Sequence, residues 1–423
     1  MIDSSNPAIG NCNLVQALPF YYGWMHVGIA AVAMTATLPG RTHGLGLITE
    51  PLLADFGMTA VSFARINFIS ALVGAAACLP IGWWIDRSGV RVVLTTVTFA
   101  LGASVIAMSR CETVVSLAVT LTLVRGLGQS ALSLVSLSVV SKWFERRLGI
   151  AMGAFAVLLT FGFIASVMWM GSLIEETGWR SAWATLGWSI AGLSVPFAIL
   201  TRSTPESCGL VGDRSSSANS LRADGSSRTI RDALRSPAFW VLVLGSSMFN
   251  FVWSGVTLFN ESILRDRGID AGGAAEVMAI LAGVGLIANI ACGSLATRGR
   301  ILKLMSVGLG LLAAGLFWFP WVTGVAGARW YAVAIGSSGG VVTVVFFAAW
   351  RHLFGSVQLG MIQGAAQFAT VLASASGPVV IALAADYWGG YHEVFTILAV
   401  ATACLAIIAF FVPTEPAENS FAR

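Results

Sequence analysis

Apolar residues in this chain fall in long unbroken runs, without the alternation of a half-buried strand or the one-sided stripe of a surface helix. Runs near 20 residues recur from Tyr21 almost to the C-terminus. As a helix rising ~1.5 Å per residue, each is long enough to cross a hydrocarbon layer of roughly 30 Å. Twelve spans are predicted, over 21–48, 60–85, 91–109, 113–140, 148–172, 179–200, 237–260, 271–296, 301–320, 328–350, 360–385 and 389–412. Helices are expected because lipid cannot satisfy backbone N–H and C=O groups, whereas a helix satisfies its own. The pattern predicts an all-α membrane protein with twelve transmembrane helices.

The polar stretches organise these spans. Residues 201–236, rich in Ser and mixed charge, divide them six and six and read as a cytoplasmic linker with a short surface helix at Thr229–Arg235. An offset of 211 then brings four separate landmarks into register. It carries "HGLGLITE" (43–50) onto "SGVTLFNE" (254–261), Gly82 and Arg87 onto Gly293 and Arg298, "LGIAMG" (148–153) onto "LGMIQG" (359–364), and Glu175 onto Asp386. The expected organisation is a tail (1–20), two pseudo-symmetric six-helix bundles (21–200 and 237–412) joined by the linker, and a second tail (413–423). Parallel repeats of this kind place a substrate site between the halves, near the midplane.

Composition agrees: 57% of residues are hydrophobic and 10% charged, against roughly 25% charged in soluble domains. The net charge of +4 matters less than its placement. Arg87, Arg91, Lys142, Arg146, Arg147, Arg298, Arg300, Lys303, Arg351 and the linker arginines fall on one face, which puts both termini in the cytoplasm and the chain in the plasma (inner) membrane. The N-terminal tail has no Lys or Arg, so a cleaved leader is not expected. Six cysteines are scattered without CxxC or neighbouring His, and no basic, aromatic-interleaved patch appears. No metal, cofactor or nucleic-acid partner is expected, and the dispersed titratable groups assign no reaction.

Between spans 2 and 3 stands "GWWIDRSGVR": Gly82, Asp86, Arg87, Gly89 and Arg91. It resembles the signature loop of the major facilitator superfamily, with Val90 in place of the late arginine and Arg91 following. Its echo "GSLATRGR" keeps Gly293, Arg298 and Arg300 but has Thr297 for the aspartate. "VRGLGQS" and "KWFERRLGIAMG" resemble the family's helix-4 arginine motif and the loop after it. "FYYGW", "LPGRTHGLG" and "GAAQFATVLASASGPVV" resemble the branch of monocarboxylate carriers and oxalate–formate exchangers. The resemblance implies the major facilitator fold. It also implies a latch built from Gly82, Asp86, Arg87, Gly89, Arg91 and Arg298, in which Asp86 meets the N-terminus of helix 11 near Gly360 and the arginines pair with carboxylates.

The candidate binding residues are polar groups at membrane depth, where an arginine costs roughly 2.5–3.5 kcal/mol on insertion scales and so faces a cavity or a partner. Arg41 follows Pro39-Gly40, which should loosen helix 1. It either receives a carboxylate, or snorkels or pairs with Glu50 or Asp55. His43 could carry a coupled proton. Arg125 lies mid-span on helix 4, with Gly336 as its repeat equivalent, and Arg65 reads as an interface or vestibule charge. Ser246, Asn250, Trp253 and Thr257 share a face of helix 7, and Gln363, Gln367, Thr370 and Ser374 one of helix 11. The substrate-binding set is therefore Arg41, His43, Arg125, Asn250, Trp253, Thr257 and Gln367.

The cations that oxalate–formate exchangers have on helices 8 and 11, and the charged pair that animal monocarboxylate carriers have on helix 8, are missing, which argues against a doubly charged substrate. The expectation is a monomeric secondary carrier in the lipid bilayer. It would move a small organic anion, a monocarboxylate, with a proton or a counter-anion as partner. The alternatives are an exporter of amphipathic compounds, a carrier of a neutral solute, and a solute sensor that moves nothing.

Overall fold

In a computed structural model of the chain, residues 21–144, 147–205, 229–293, 295–296, 298–355 and 358–413 are described, and the side chains of His43, Glu261 and Arg298 lie outside the described set. Among the described residues every regular element is helical. The membrane helices are α1 (Gly23–Thr35), α2 (60–88), α3 (90–109), α4 (Val114–Trp143), α5 (Leu148–Thr177), α6 (Trp179–Leu200), α7 (Pro237–Leu258), α8 (Ala271–Gly293), α9 (Ile301–Trp318), α10 (Gly324–Phe354), α11 (Leu359–Trp388) and α12 (His392–Phe411). Among the described residues, ten helical stretches are long and apolar enough to span a bilayer. One of them, Ser62–Ser109, holds both α2 and α3, and α1 is a shorter apolar helix, so the twelve predicted spans are accounted for. The boundary between α2 and α3 is Gly89, whose φ of 79° is open to glycine at little cost.

Contacts divide the chain into two compact units: Met1–Ser227 with Ser356–Gly364, and Arg228–Gly355 with Ala365–Arg423. The offset of 211 reappears in the helix bounds, since α5 at 148–177 shifted by 211 gives 359–388, the bounds of α11. The same shift relates the left-handed Gly57 (φ 59°) to Gly268 (φ 70°), and Gly178 (φ 79°) to Gly389 (φ 75°). It also relates α4 to α10, each the most enclosed helix of its own unit: 83% of the apolar stretch of α4 is buried and 72% of that of α10, against 28% for α5. Side chains on α5 such as Phe161 and Met168 are exposed, as suits a helix facing lipid.

Two helices depart from a simple reading of the sequence. The first predicted span, 21–48, is not one helix. α1 ends at Thr35, Leu38–Gly40 forms a tight 3₁₀ turn, and Arg41 is extended (φ −105°, ψ 155°) before short helices at Thr42–Gly46 and Thr49–Phe56. Pro39 supplies no N–H, so the regular ladder cannot pass through it. The second departure is in α4, where Arg125–Leu132 is a π-turn between α-helical flanks, a widening that often marks a functional site.

Glycines let the backbones around these irregular segments touch. A Cβ on Gly40 would lie 2.6 Å from the Val124 carbonyl oxygen, and one on Gly74 would lie 2.8 Å from the Gly126 amide nitrogen. The 3₁₀ turn after α1 and the helix α2 thus close on α4 at neighbouring points on either side of Arg125. At the other end of the first unit, His26 is fully buried and stacked on Trp143. Its Nε2 accepts the Arg202 N–H at 3.0 Å, while Trp143 Nε1 donates to the Arg202 carbonyl at 3.0 Å. The chain just beyond α6 is thereby tied to α1 and α4. The surface helix predicted before α7 forms at Ile230–Arg235, opened by a reciprocal Thr229–Asp232 capping box.

Candidate functional site

The break in α1 and the π-turn of α4 bring Arg41 and Arg125 into one neighbourhood of the first unit. Arg41 donates from Nε to Thr37 Oγ1 (2.8 Å), and from Nη2 to Ser133 Oγ (3.0 Å) and to Met34 Sδ (3.2 Å). Phe163 of α5 lies beneath its guanidinium, 5.3 Å from ring centroid to Cζ. Its Nη1 makes no hydrogen bond among the described residues. Glu50 and Asp55, the partners weighed from the sequence, do not pair with it. Asp55 is instead taken by Trp179 Nε1 (2.8 Å) and Arg180 Nε (3.1 Å).

Arg125 is 3% exposed and more completely engaged. Its Nε and Nη2 both donate to Asn67 Oδ1, at 3.0 and 2.6 Å. Nη1 donates to Gln129 Oε1 at 2.7 Å and to the Gly40 carbonyl at 3.4 Å. The last contact ties Arg125 to the residue preceding Arg41, which sets the two guanidinium groups in one neighbourhood. Among the described residues neither meets a carboxylate. Two enclosed cations of like sign with no counter-ion among the described residues form an anion-attracting locus.

Several of these partners escaped the sequence reading. Asn67 lies in a predicted span, and an amide at membrane depth is itself a signal. Gln129 sits four residues beyond Arg125, close to one helical turn on. Thr37, Ser133 and Phe163 carry no such mark, because small hydroxyls and aromatics are common in membrane helices.

The remaining predicted residues lie elsewhere. His43 belongs to the short helix Thr42–Gly46, and its side chain is outside the described residues. On α7, in the second unit, Asn250 donates to the Ser246 carbonyl and Thr257 to the Trp253 carbonyl, each at 2.8 Å. Trp253 stacks with Phe249 (centroids 5.5 Å, 28°), and both rings border Gly339 of α10. Gln367 is half-buried on α11. Its neighbour Gln363 is 2% exposed and bridges to α4, accepting from Ser138 Oγ at 2.8 Å and donating to Ser141 Oγ at 3.4 Å. Arg65 is exposed.

In the signature loop, Asp86 accepts the Gly360 and Met361 N–H groups, each at 2.9 Å, at the first turn of α11. Two free N–H groups and the positive helix end suit a carboxylate. Gly82 admits this contact, since a Cβ there would collide with the Gly360 carbonyl. The carboxylate pairing expected of the arginines is not found among the described residues. Arg91 Nε donates to the Ala198 carbonyl at 2.8 Å, and Arg87 rests 5.2 Å from the centroid of the Trp83 ring. Among the described residues neither has an acidic partner. The side chain of Arg298 lies outside the described set.

Apolar helices of membrane-spanning length, repeated at one offset, fit a secondary transporter. The sequence pattern of the Major Facilitator Superfamily matches residues 27–375, and the chain belongs to that family. It is similar to human monocarboxylate transporter 11, 27% identical over 88% of this chain and 79% of that protein. It also resembles bovine (Bos taurus) monocarboxylate transporter 13, 23% identical over 89% and 86%. Among solved structures, the human organic anion transporter MFSD10 (TETRAN) matches with a TM-score of 0.69 at 15% identity, covering 91% of this chain and 99% of that one. The transporter FucP in its outward conformation matches with 0.69 at 13% identity, covering 92% and 98%. At these identities the structures establish the fold.

Proposed function

We propose that this transporter carries a small organic anion, a monocarboxylate, by alternating access. The observation that carries the reading is the Arg41–Arg125 pair: two enclosed guanidinium groups that meet no carboxylate among the described residues, with the Nη1 of Arg41 making no hydrogen bond there. A carboxylate arriving at Arg41 gains charge-assisted hydrogen bonds and relieves the repulsion between the two cations. Arg125, whose donors are largely taken by Asn67, Gln129 and Gly40, supports the site through its field and by holding the broken end of α1. The names of the curated relatives, monocarboxylate transporters 11 and 13, point the same way.

In this reading the bundles 21–200 and 237–412 rock against one another, and Asp86, Gly82, Arg87, Gly89, Arg91 and Arg298 steady one conformation. Asn250, Trp253, Thr257 and Gln367 contribute from the second half. A monomer in the plasma membrane, with both termini and the 201–236 linker in the cytoplasm, is part of the same proposal. The coupled species is a proton, with His43 as its carrier, or a counter-anion in exchange.

Uptake of labelled lactate and pyruvate into proteoliposomes tests this, measured with an inward proton gradient, with anion loaded inside, and with neither. Saturable uptake driven by one of the first two conditions is expected. Losing one charged hydrogen-bonding partner is worth about 1.5–3 kcal/mol, so Arg41→Ala should lose about 10- to 100-fold with insertion unchanged. No uptake under any of the three conditions would remove the monocarboxylate reading.

A further inference from the structure

Among the described residues, every group that holds Arg125 is uncharged. Asn67 Oδ1 receives Nε and Nη2, Gln129 Oε1 receives Nη1, and the Gly40 carbonyl receives Nη1 at longer range. The amides must turn their oxygens to the guanidinium, because their NH₂ groups can only donate. A carboxylate of the same shape at either position would accept the same N–H groups through stronger, charge-assisted bonds. For anchoring an arginine, then, the amide is the weaker choice. What the amide does better is leave the charge in place.

That difference is large in this environment. Arg125 is 3% exposed, so its field is weakly screened, and Arg41 lies in the same neighbourhood. An acid at position 67 would sit at hydrogen-bonding distance from the guanidinium and turn the field into that of a close dipole. The Nη1 of Arg41 would then belong to a neighbourhood with half its positive charge.

We propose that Asn67, seconded by Gln129, sets the charge selectivity of the site: neutral amides fix the orientation of Arg125 without neutralising it, so that the locus accepts an anion and not a neutral or cationic solute. Asn67 and Gln129 are positioning residues that act through Arg125. The proposal rests on the anion reading above and adds to it the residues that preserve the site's sign.

The test is calorimetric titration of the purified full chain in detergent with lactate, pyruvate and benzoate. It compares the wild type with Asn67→Asp, Asn67→Ala and Gln129→Glu. A purely structural role predicts that Asp, which keeps the shape and strengthens the bonds, is milder than Ala. Charge preservation predicts the reverse order. For whichever probe the wild type binds, Asn67→Asp should weaken affinity at least about tenfold, Asn67→Ala less, and Gln129→Glu should repeat the loss from the other side of the guanidinium.

Equal or milder effects of the acids overturn the selectivity proposal and leave the anion site standing. Binding of none of the three anions by the wild type overturns both. Melting curves close the remaining gap, because pairing should leave the fold intact. If both acid variants fail to fold while Asn67→Ala folds, the proposal is also lost.

Discussion

The imidazole of His26 lies on the indole of Trp143, ring centroids 4.1 Å apart with 20° between the planes, and together the two rings take both backbone groups of Arg202. His26 Nε2 is the acceptor, so the ring carries its hydrogen on Nδ1, facing the Tyr22 carbonyl at 3.3 Å. His26→Phe keeps the ring stack and loses the acceptor. Removing the partner of a buried N–H costs about 1–3 kcal/mol. A lower apparent melting temperature is expected for His26→Phe at a fixed scan rate, and a further drop for His26→Ala, which also empties the stack.

Asp86 gives both carboxylate oxygens to the first turn of α11. Asn in its place has one acceptor, and its NH₂ would confront an N–H group. The loss is about 1–3 kcal/mol, or roughly 5- to 150-fold in a local opening equilibrium. Hydrogen exchange of the Gly360 and Met361 amides should accelerate by that factor in Asp86→Asn, with little change in α9 or α12. Unchanged exchange would mean that Gly82 and Gln363 alone seat the helix.

Arg180 and Asp55 form an ion pair at 3.1 Å, but their side chains are 39% and 43% exposed. Exposed pairs contribute about 0–1 kcal/mol. Arg180 does more than pair, since its Nη1 also donates to the Ser109 and Cys111 carbonyls at 3.0 and 2.7 Å. Asp55→Asn, which still accepts from Trp179, should fall within about 1 kcal/mol of the wild type. Arg180→Ala should cost about 1–3 kcal/mol, because it strands backbone acceptors. Comparison of the two variants in thermal unfolding decides the order.

The crossing of Gly40 and Gly128 is asymmetric in the room it leaves. A Cβ on Gly40 meets the Val124 oxygen at 2.6 Å, whereas one on Gly128 finds the Gly40 Cα at 3.1 Å. Gly40→Ala should therefore be the more damaging, at about 1–3 kcal/mol of overpacking. It should also weaken anion binding, because the Gly40 carbonyl that meets Arg125 must shift. Gly128→Ala should remain closer to the wild type in both readouts.

The features legible in the sequence are those with long period or strong chemistry. Twelve spans, the offset of 211 and the weakened helix at Pro39-Gly40 all follow from run length, repetition and the missing proline N–H. The motif also pointed Asp86 toward Gly360, since a carboxylate at a helix entrance is a recognisable pairing. The arginines of the loop were harder to place. Arg91 found the Ala198 carbonyl and Arg87 the Trp83 ring, and neither partner is marked by opposite charge. For the same reason the neighbourhood of Arg125 was half visible. The cation announces itself, but Asn67 lies 58 residues away in the chain, and neutral amides complement a guanidinium without signalling it. The π-turn left no trace in the apolar pattern, because a helix apolar on every side has no stripe to fall out of phase.

That turn means α4 winds in one residue more than an α-helical ladder holds. A single deletion between 126 and 132 would remove the turn and keep the helix beyond it nearly in place, but if the same residues wound as an ordinary coil each position beyond would swing by roughly 100° relative to Arg125. Ser133 would leave Arg41, and the Ser138 and Ser141 hydroxyls would rotate away from Gln363. A lone surplus residue thus sets the phase between the charged end of α4 and the end that grips the start of α11.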